Sequence, residues 1–289
     1  MTMAQGLTAS QCVEAAIDER CARLEGILQL DVMSYVGPLL YGTDDVIRDV
    51  AETRRPRSQG LAVLLETTGG YIEPVRRIVS VLRTNYGHVE FVVPSHAMSA
   101  GTILVMSGDA IRMDYYSVLG PIDPQVERDG QPVPALGYLQ QYKRLLAKAN
   151  RGRASSAEMA ILLKFDQAEL YSYEQDRELS IALLKDWLAR YKFKDWKTTA
   201  TRCVPVSSRM RVNRAAEVAK ALNDTDRWHT HGHGITMEVL QTDLKLRIDD
   251  FGSDPDLSAG VHSYHRLVVD YMRRTGRTYL VHRPGMFVF

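Results

Sequence analysis

Leu61-Ala62-Val63-Leu64-Leu65-Glu66-Thr67-Thr68-Gly69-Gly70, then Pro94-Ser95-His96-Ala97-Met98-Ser99-Ala100-Gly101-Thr102, then Leu119-Gly120-Pro121-Ile122-Asp123-Pro124-Gln125 are the segments that decide how this chain folds. Residues 61–65 form a short apolar run that stops at two threonines and two glycines. That is the pattern of a buried strand ending in a loop with unusual backbone angles. A helix is expected next. Pro74 suits a first turn, Val75, Ile78, Val79 and Leu82 recur at i, i+3, i+4 and i+7, and Gly87 is placed to end it. Residues 89–93 read as a second strand, after which the chain turns through 94–98 into Ser99-Ala100-Gly101-Thr102. Small residues there let a helix start close against the strands. A serine at such a junction is held at the sheet edge beside the amides of the first helical turn. Those amides, with the Gly69-Gly70 backbone at the end of a neighbouring parallel strand, are placed to stabilise an oxyanion.

In this order, Thr67-Thr68-Gly69-Gly70, Ala97-Met98-Ser99-Ala100-Gly101-Thr102 and Val118-Leu119-Gly120-Pro121-Ile122-Asp123-Pro124-Gln125 resemble the ClpP-class serine peptidases of the ClpP/crotonase fold. The likeness is closest to the serine dehydrogenase proteinase family, with signal-peptide peptidase A and ClpP as more distant relatives, and it is strongest over residues 35–125. It implies an α/β fold of stacked strand-strand-helix units with a helical C-terminal part. It also implies a serine endopeptidase, a hydrolase acting on peptides or proteins, that needs no metal or organic cofactor. Ser99 is then the nucleophile, and the amides of Gly69 or Gly70 and of Ala100 form the oxyanion hole. Thr68 departs from the pattern, because the relatives carry proline before the two glycines, and threonine leaves the loop less rigid. The same fold also hosts crotonase-type acyl-CoA enzymes, which use the two amides without a serine, and a catalytically silent oligomeric scaffold of this fold is the other alternative reading. No obvious glutamate pair beside the oxyanion loops supports the crotonase chemistry.

A length of 289 residues suits a single large domain over 1–289, with a nucleophile and oxyanion core at 30–125 and a helical part at 134–289. The charge is nearly balanced, 36 basic against 35 acidic side chains, so no global field favours nucleic acid or an anionic membrane. Cys12, Cys21 and Cys203 are scattered without metal-ligand spacing, which fits a reducing compartment. There is no signal-peptide pattern and no apolar run of about 18 residues, so the expected location is the cytoplasm, without a membrane span.

Residues 8–28 have helical character, with Ser10 as the cap and Val13, Ala16, Ile17 and Cys21 on one face. A strand lies within 26–40 and a helix starts at Thr43. Residues 134–149 form an amphipathic helix, and 155–191 read as one long helical stretch with Ser156 ahead of Glu158. Its apolar side chains from Leu179 to Leu188 serve either the monomer core or an interface between copies, and the fold resemblance implies a homo-oligomer.

The resemblance to ClpP places a histidine near 123–125, but Asp123-Pro124-Gln125 stand there. Two groups compete for the general base. Lys143, on the helix at 134–149, is the residue type that signal-peptide peptidases use at a similar distance after the serine, with Lys148 a weaker substitute. A lysine accepts the serine proton only if desolvation lowers its pKa. His231, in His229-Thr230-His231-Gly232-His233, matches a Thr-His motif of the serine dehydrogenase proteinases and needs no large shift. The alternating histidines, completed by His262 or His265, are also a metal-binding pattern, but no cysteine pair or HExxH supports it.

Overall fold

The computed structural model describes residues 8–53, 58–122, 125–128, 131–199, 201–228 and 232–289, with 125–128, 131–136 and 225–226 described by their backbone alone. Where the sequence reading takes the chain as one domain, its residues group into two compact units. Met1–Leu119 with Ile235–Phe289 make the first, and Gly120–Gly234 the second.

The first unit opens with α1 (Ala9–Leu28). Its cap is Thr8 and not Ser10, because Gln11 at the third helical position completes the reciprocal pair. The Gln11 amide donates to Thr8 Oγ1 at 3.3 Å, and the Thr8 amide donates to Gln11 Oε1 at 2.8 Å. There follow β1 (Asp31–Val36), α2 (Thr43–Thr53), β2 (Gly60–Glu66), α3 (Ile72–Asn85) and β3 (His88–Val92). Next come β4 (His96–Ala97), α4 (Ala100–Val105), β5 (Ala110–Met113) and β6 (Val118–Leu119). The end of α3 departs from expectation. Its cap is Tyr86 in an extended conformation, and Gly87 instead hands its amide to Gln59 O at 3.1 Å.

The second unit begins with the hairpin β7 (Gln125–Arg128) and β8 (Gln131–Pro134), and continues through α5 (Ala135–Asn150), α6 (Ser156–Leu162) and α7 (Gln167–Trp187). A π-helical turn at Leu188–Lys192 leads to α8 (Ser208–Leu222) and α9 (Thr225–Trp228). The single long helix expected at 155–191 is broken, because two caps compete for it. Ser155, not Ser156, forms a capping box with Glu158, and Asp166 accepts from the amides of Ala168 and Glu169 to start α7 afresh. Leu184, Trp187 and Leu188 are buried, and α7 and the π turn pack against α8, which buries Ala215, Val218, Ala219 and Leu222. That part of the apolar stripe is core. A satellite core of Leu139, Leu170 and Tyr173 lies under Tyr138, Tyr142 and Phe165.

The first unit then resumes with β9 (Ile235–Thr236), α10 (Met237–Thr242), β10 (Asp249–Asp250), a 3-10 turn at Phe251–Ser253, α11 (Pro255–Arg274), β11 (Leu280–Arg283) and β12 (Met286–Val288). Its main sheet runs β10-β5-β3-β2-β1-β11-β12. The strands from β10 to β1 are parallel, and β11 and β12 close the edge antiparallel. Since side chains alternate along a strand, the two sheet faces carry different sets. Val32, Val36, Ala62, Leu64 and Val92 pack with Ile17, Cys21 and Leu24 of α1 and with Leu257, Val261, Tyr264 and Val268 of α11. The intervening Met33, Tyr35, Leu61, Val63, Leu65 and Phe91 are buried too. Their covering stripes come from α2 and α3, whose Ile47, Val50, Val75, Ile78, Val79 and Leu82 are buried. Each large aliphatic side chain so buried contributes about 1.5–3 kcal/mol. A strand that is apolar on both faces is what a parallel sheet with two helical layers demands, which is why residues 61–65 show no polar alternation.

A buried charge fixes the antiparallel edge. The Arg283 guanidinium, 2% exposed, lies with Nη2 2.8 Å from Asp31 Oδ2, which also accepts from the Tyr86 hydroxyl at 3.0 Å. No helix among the described residues is long and apolar enough to cross a membrane.

Candidate active site

A second, three-stranded sheet, β4-β6-β9, carries the turn that holds Ser99. Thr67 continues β2 by bridging to Ala97. Its amide donates to His96 O at 3.0 Å and its carbonyl accepts from Met98 N at 2.9 Å. On its other side the loop is laced to the segment after β1, where Leu39 N donates to Gly69 O at 2.8 Å and Tyr71 N donates to Leu39 O at 2.9 Å. The Thr67–Gly70 loop is thus held from both sides by backbone hydrogen bonds.

Ser99 is buried and caps α4 with φ 52° and ψ −116°, a positive-φ conformation, outside the left-handed helical region, that L residues other than glycine rarely adopt. Such a backbone costs on the order of 1–3 kcal/mol and is kept only where the surroundings impose it. Here they do. Gly101 packs so tightly that a Cβ on it would lie 2.3 Å from Thr67 Cγ2, and the Thr102 hydroxyl donates to Ala97 O at 2.8 Å. The helix therefore starts hard against the strand end, with the serine at its mouth.

The amides around this turn divide into used and unused ones. Gly101 N donates to Met98 O at 2.8 Å, Thr102 N to Ser99 O at 2.9 Å, and Gly69 N to Thr67 Oγ1 at 3.0 Å. The amides of Gly70 and Ala100 have no acceptor among the described residues. Gly70 has φ 148°, and a Cβ on it would lie 2.1 Å from Leu39 O, so no other residue fits. Of the two glycines, the one with the unspent amide is Gly70. That distinction depends on the Thr67 side chain, two residues before Gly69, whose hydroxyl takes the Gly69 amide. Leu40, Tyr41 and Tyr71 form an exposed apolar rim next to this loop, with the two tyrosine rings stacked at 4.6 Å.

The candidate bases lie elsewhere in the chain. Lys143 is on α5 in the second unit, half-exposed, with Nζ 2.8 Å from Glu174 Oε1 of α7. Lys148 is tied to Glu158 at 2.5 Å. His231, with His229 and Thr230, lies outside the described residues. His233 is described and its ring rests 5.4 Å from that of Trp228. His262 and His265, offered by the sequence to a metal, each lie against a carboxylate. His262 Nε2 lies 2.9 Å from Asp114 Oδ2, and His265 Nε2 lies 2.8 Å from Glu66 Oε2. Neither carboxylate contact was legible in the sequence, since each joins α11 to a strand end far away in the chain.

Residues 22–203 match the family of ClpP-like SDH-type serine proteinases. The chain belongs to that family. The matched segment includes Gly69, Gly70, Ser99, Ala100 and Lys143, and ends before His231. An uncharacterised protein of Methanocaldococcus jannaschii is 27% identical over 219 residues, covering 76% of this chain and 62% of its own length. A second uncharacterised protein of that organism is 28% identical over 225 residues, covering 78% and 64%. The chain thus spans less than two thirds of the length of these relatives. Among solved structures, two mutant forms of 1510-N membrane-bound stomatin-specific protease, one in complex with a substrate peptide, are 14% and 15% identical. Their TM-scores are 0.43 and 0.42, each over 75% of this chain and over 77% and 73% of the other. The fold of the chain is mixed α/β around a central sheet.

Proposed function

We propose that the protein is a serine peptidase that cleaves peptide bonds through an acyl-enzyme on Ser99. The observation that carries this reading is the pair of unspent amides, Gly70 and Ala100, on the two loops that meet at the strained Ser99 turn. Ser99 Oγ forms a bond to the peptide carbonyl carbon and gives up its proton. The carbonyl oxygen takes the negative charge and is held by the two amides, each such donor being worth about 3–4 kcal/mol in the transition state. The C–N bond then breaks, the amine leaves with a proton, and water releases the acyl group. The turn needs no rearrangement to present these groups, because its backbone is already held by hydrogen bonds to Thr67 and Met98.

The proton acceptor is Lys143 or His231. Lys143 has to give up Glu174 to act, and a surface ion pair of that kind contributes only about 0–1 kcal/mol, so its loss is no obstacle. The desolvation that lowers a lysine pKa is the larger requirement. Peptides or proteins are the substrates, the cytoplasm is the location, and the protein acts as a homo-oligomer. Light scattering well above 32.6 kDa is the expected result for the last point, and a monomer at micromolar concentration would refute it.

The test of the main reading is an activated-serine probe such as a fluorophosphonate. Wild type is expected to be labelled and Ser99→Ala to stay unlabelled while folded. Equal labelling of both, or none of either, would overturn it.

A further inference from the structure

Glu66 is the only charged residue of β2, Gly60–Glu66, and it sits at the strand's last position, directly before the Thr67–Gly70 loop. A carboxylate at the end of a strand whose other side chains are buried is costly unless something there uses it. Its side chain is 16% exposed and approaches the 12%-exposed ring of His265 on α11 at 2.8 Å, a close charge contact without linear hydrogen-bond geometry. Ser95 and His96, whose side chains meet at 3.0 Å, face it from the entrance to β4. Burial, the largest influence on Glu66, would raise its pKa. The His265 contact, the charges of His265 and His96 and the Ser95 hydroxyl outweigh it, so the carboxyl is held below its ordinary value. Glu66 therefore stays ionised at neutral pH.

The residues that Glu66 joins are the neighbours of the two reacting loops. His96 O accepts the Thr67 amide, and Met98, two residues on, donates to Thr67 O. From the other side, Glu66 O accepts the Gly37 amide at 3.0 Å. One carboxylate thus ties the C-terminal end of β2, the approach to the Ser99 turn and the covering helix α11.

We propose that Glu66, gripped by His265, is a positioning residue that keeps the Gly70 amide in register with Ser99. It touches neither substrate nor reacting atoms and acts through the Thr67 backbone. This inference rests on the peptidase reading, but its test has a readout independent of it.

The experiment compares wild type, Glu66→Ala, Glu66→Gln and His265→Gln by amide hydrogen exchange and by the rate of fluorophosphonate labelling. In Glu66→Ala the amides of Thr67, Gly69 and Met98 are expected to exchange about tenfold faster, while those of Val63 and Phe91 in the strands stay unchanged. A role in global stability alone would move all five together. Labelling should slow about tenfold through its maximal rate and not through probe affinity. Glu66→Gln, which keeps an acceptor for Ser95, should recover part of both effects. Should Glu66→Ala fail to fold, His265→Gln carries the same comparison. Unchanged exchange in the loop, uniform acceleration, or altered exchange with an unaltered labelling rate would each overturn the proposal. A wild type that shows the exchange pattern yet takes no probe would overturn the peptidase reading and leave the coupling of Glu66 to the loop intact.

Discussion

The Gly69 backbone lies so close to Ser99 that a Cβ built on the glycine would stand 2.9 Å from the serine Cβ and 2.8 Å from Met98 O. The Thr67–Gly70 loop and the Ser99 turn are therefore in contact at a point where only a hydrogen atom fits. Gly69 also has φ 97°, which an L side chain rarely adopts. Gly69→Ala is expected to push the two loops apart. A misplacement of the order of an ångström is enough to slow acylation about a hundredfold, and the strain should cost about 1–3 kcal/mol of stability. Probe labelling and chemical denaturation measure the two effects, and a near-wild-type labelling rate would refute the contact.

The strain at Ser99 makes a second, opposite prediction. Ser99→Ala keeps a Cβ and so keeps the positive-φ penalty, whereas Ser99→Gly removes it. Relief of about 1–3 kcal/mol exceeds the ~0.5–1 kcal/mol of extra chain entropy that glycine loses on folding. Both variants should be inactive, but Ser99→Gly should be the more stable by about 1 kcal/mol, a melting temperature higher by roughly 2–4 °C. Identical melting curves would mean that the turn is unstrained.

What could be read from the sequence was what local pattern encodes. The unbroken apolar run at 61–65, the paired glycines and the small residues after Ser99 each express a nearby backbone requirement, and together they placed β2, α3, β3 and the turn at Ser99. Interactions between residues distant in the chain left no such trace. The Arg283–Asp31 pair and the His265–Glu66 contact depend on which side chain arrives from elsewhere. The caps were misplaced by one or two residues. At Thr8 and Ser155 the reciprocal partner three residues on, Gln11 or Glu158, selects the earlier of two neighbouring hydroxyls.

His282 gives the stability a pH dependence. The ring is fully buried, the Tyr264 hydroxyl lies 2.5 Å from Nδ1, and Nε2 lies 3.0 Å from Asp18 Oδ1. Burial lowers its pKa below the ordinary 6.5, and the Asp18 hydrogen bond and charge offset this only in part. The folded state therefore binds a proton less readily than the unfolded chain. Between the unfolded and folded pKa values the unfolded state holds more protons, so stability rises with pH there. This contribution is complete above about 6.5 and is lost as the pH falls towards the folded value. Denaturation midpoints of wild type should drop over that acid window. Those of His282→Gln should start lower and fall less, and parallel curves would remove His282 as the cause.

The base shows itself in the pH profile of acylation. Lys143 has a carboxylate partner, Glu174, at 2.8 Å. If Lys143 takes the proton of Ser99, Lys143→Ala should abolish the rising limb of the acylation rate while His231→Ala is mild. If His231 is the base, the limb should lie near the unperturbed histidine value of about 6.5, and His231→Ala should be the damaging change while Lys143→Ala is mild. Acylation of a single ester substrate by wild type and these two variants, followed from pH 5 to about 10 so that both reference ranges are covered, separates the two. Near-wild-type rates in both Lys143→Ala and His231→Ala would reject each assignment, because a serine without an acceptor for its proton attacks too slowly to be measured against background.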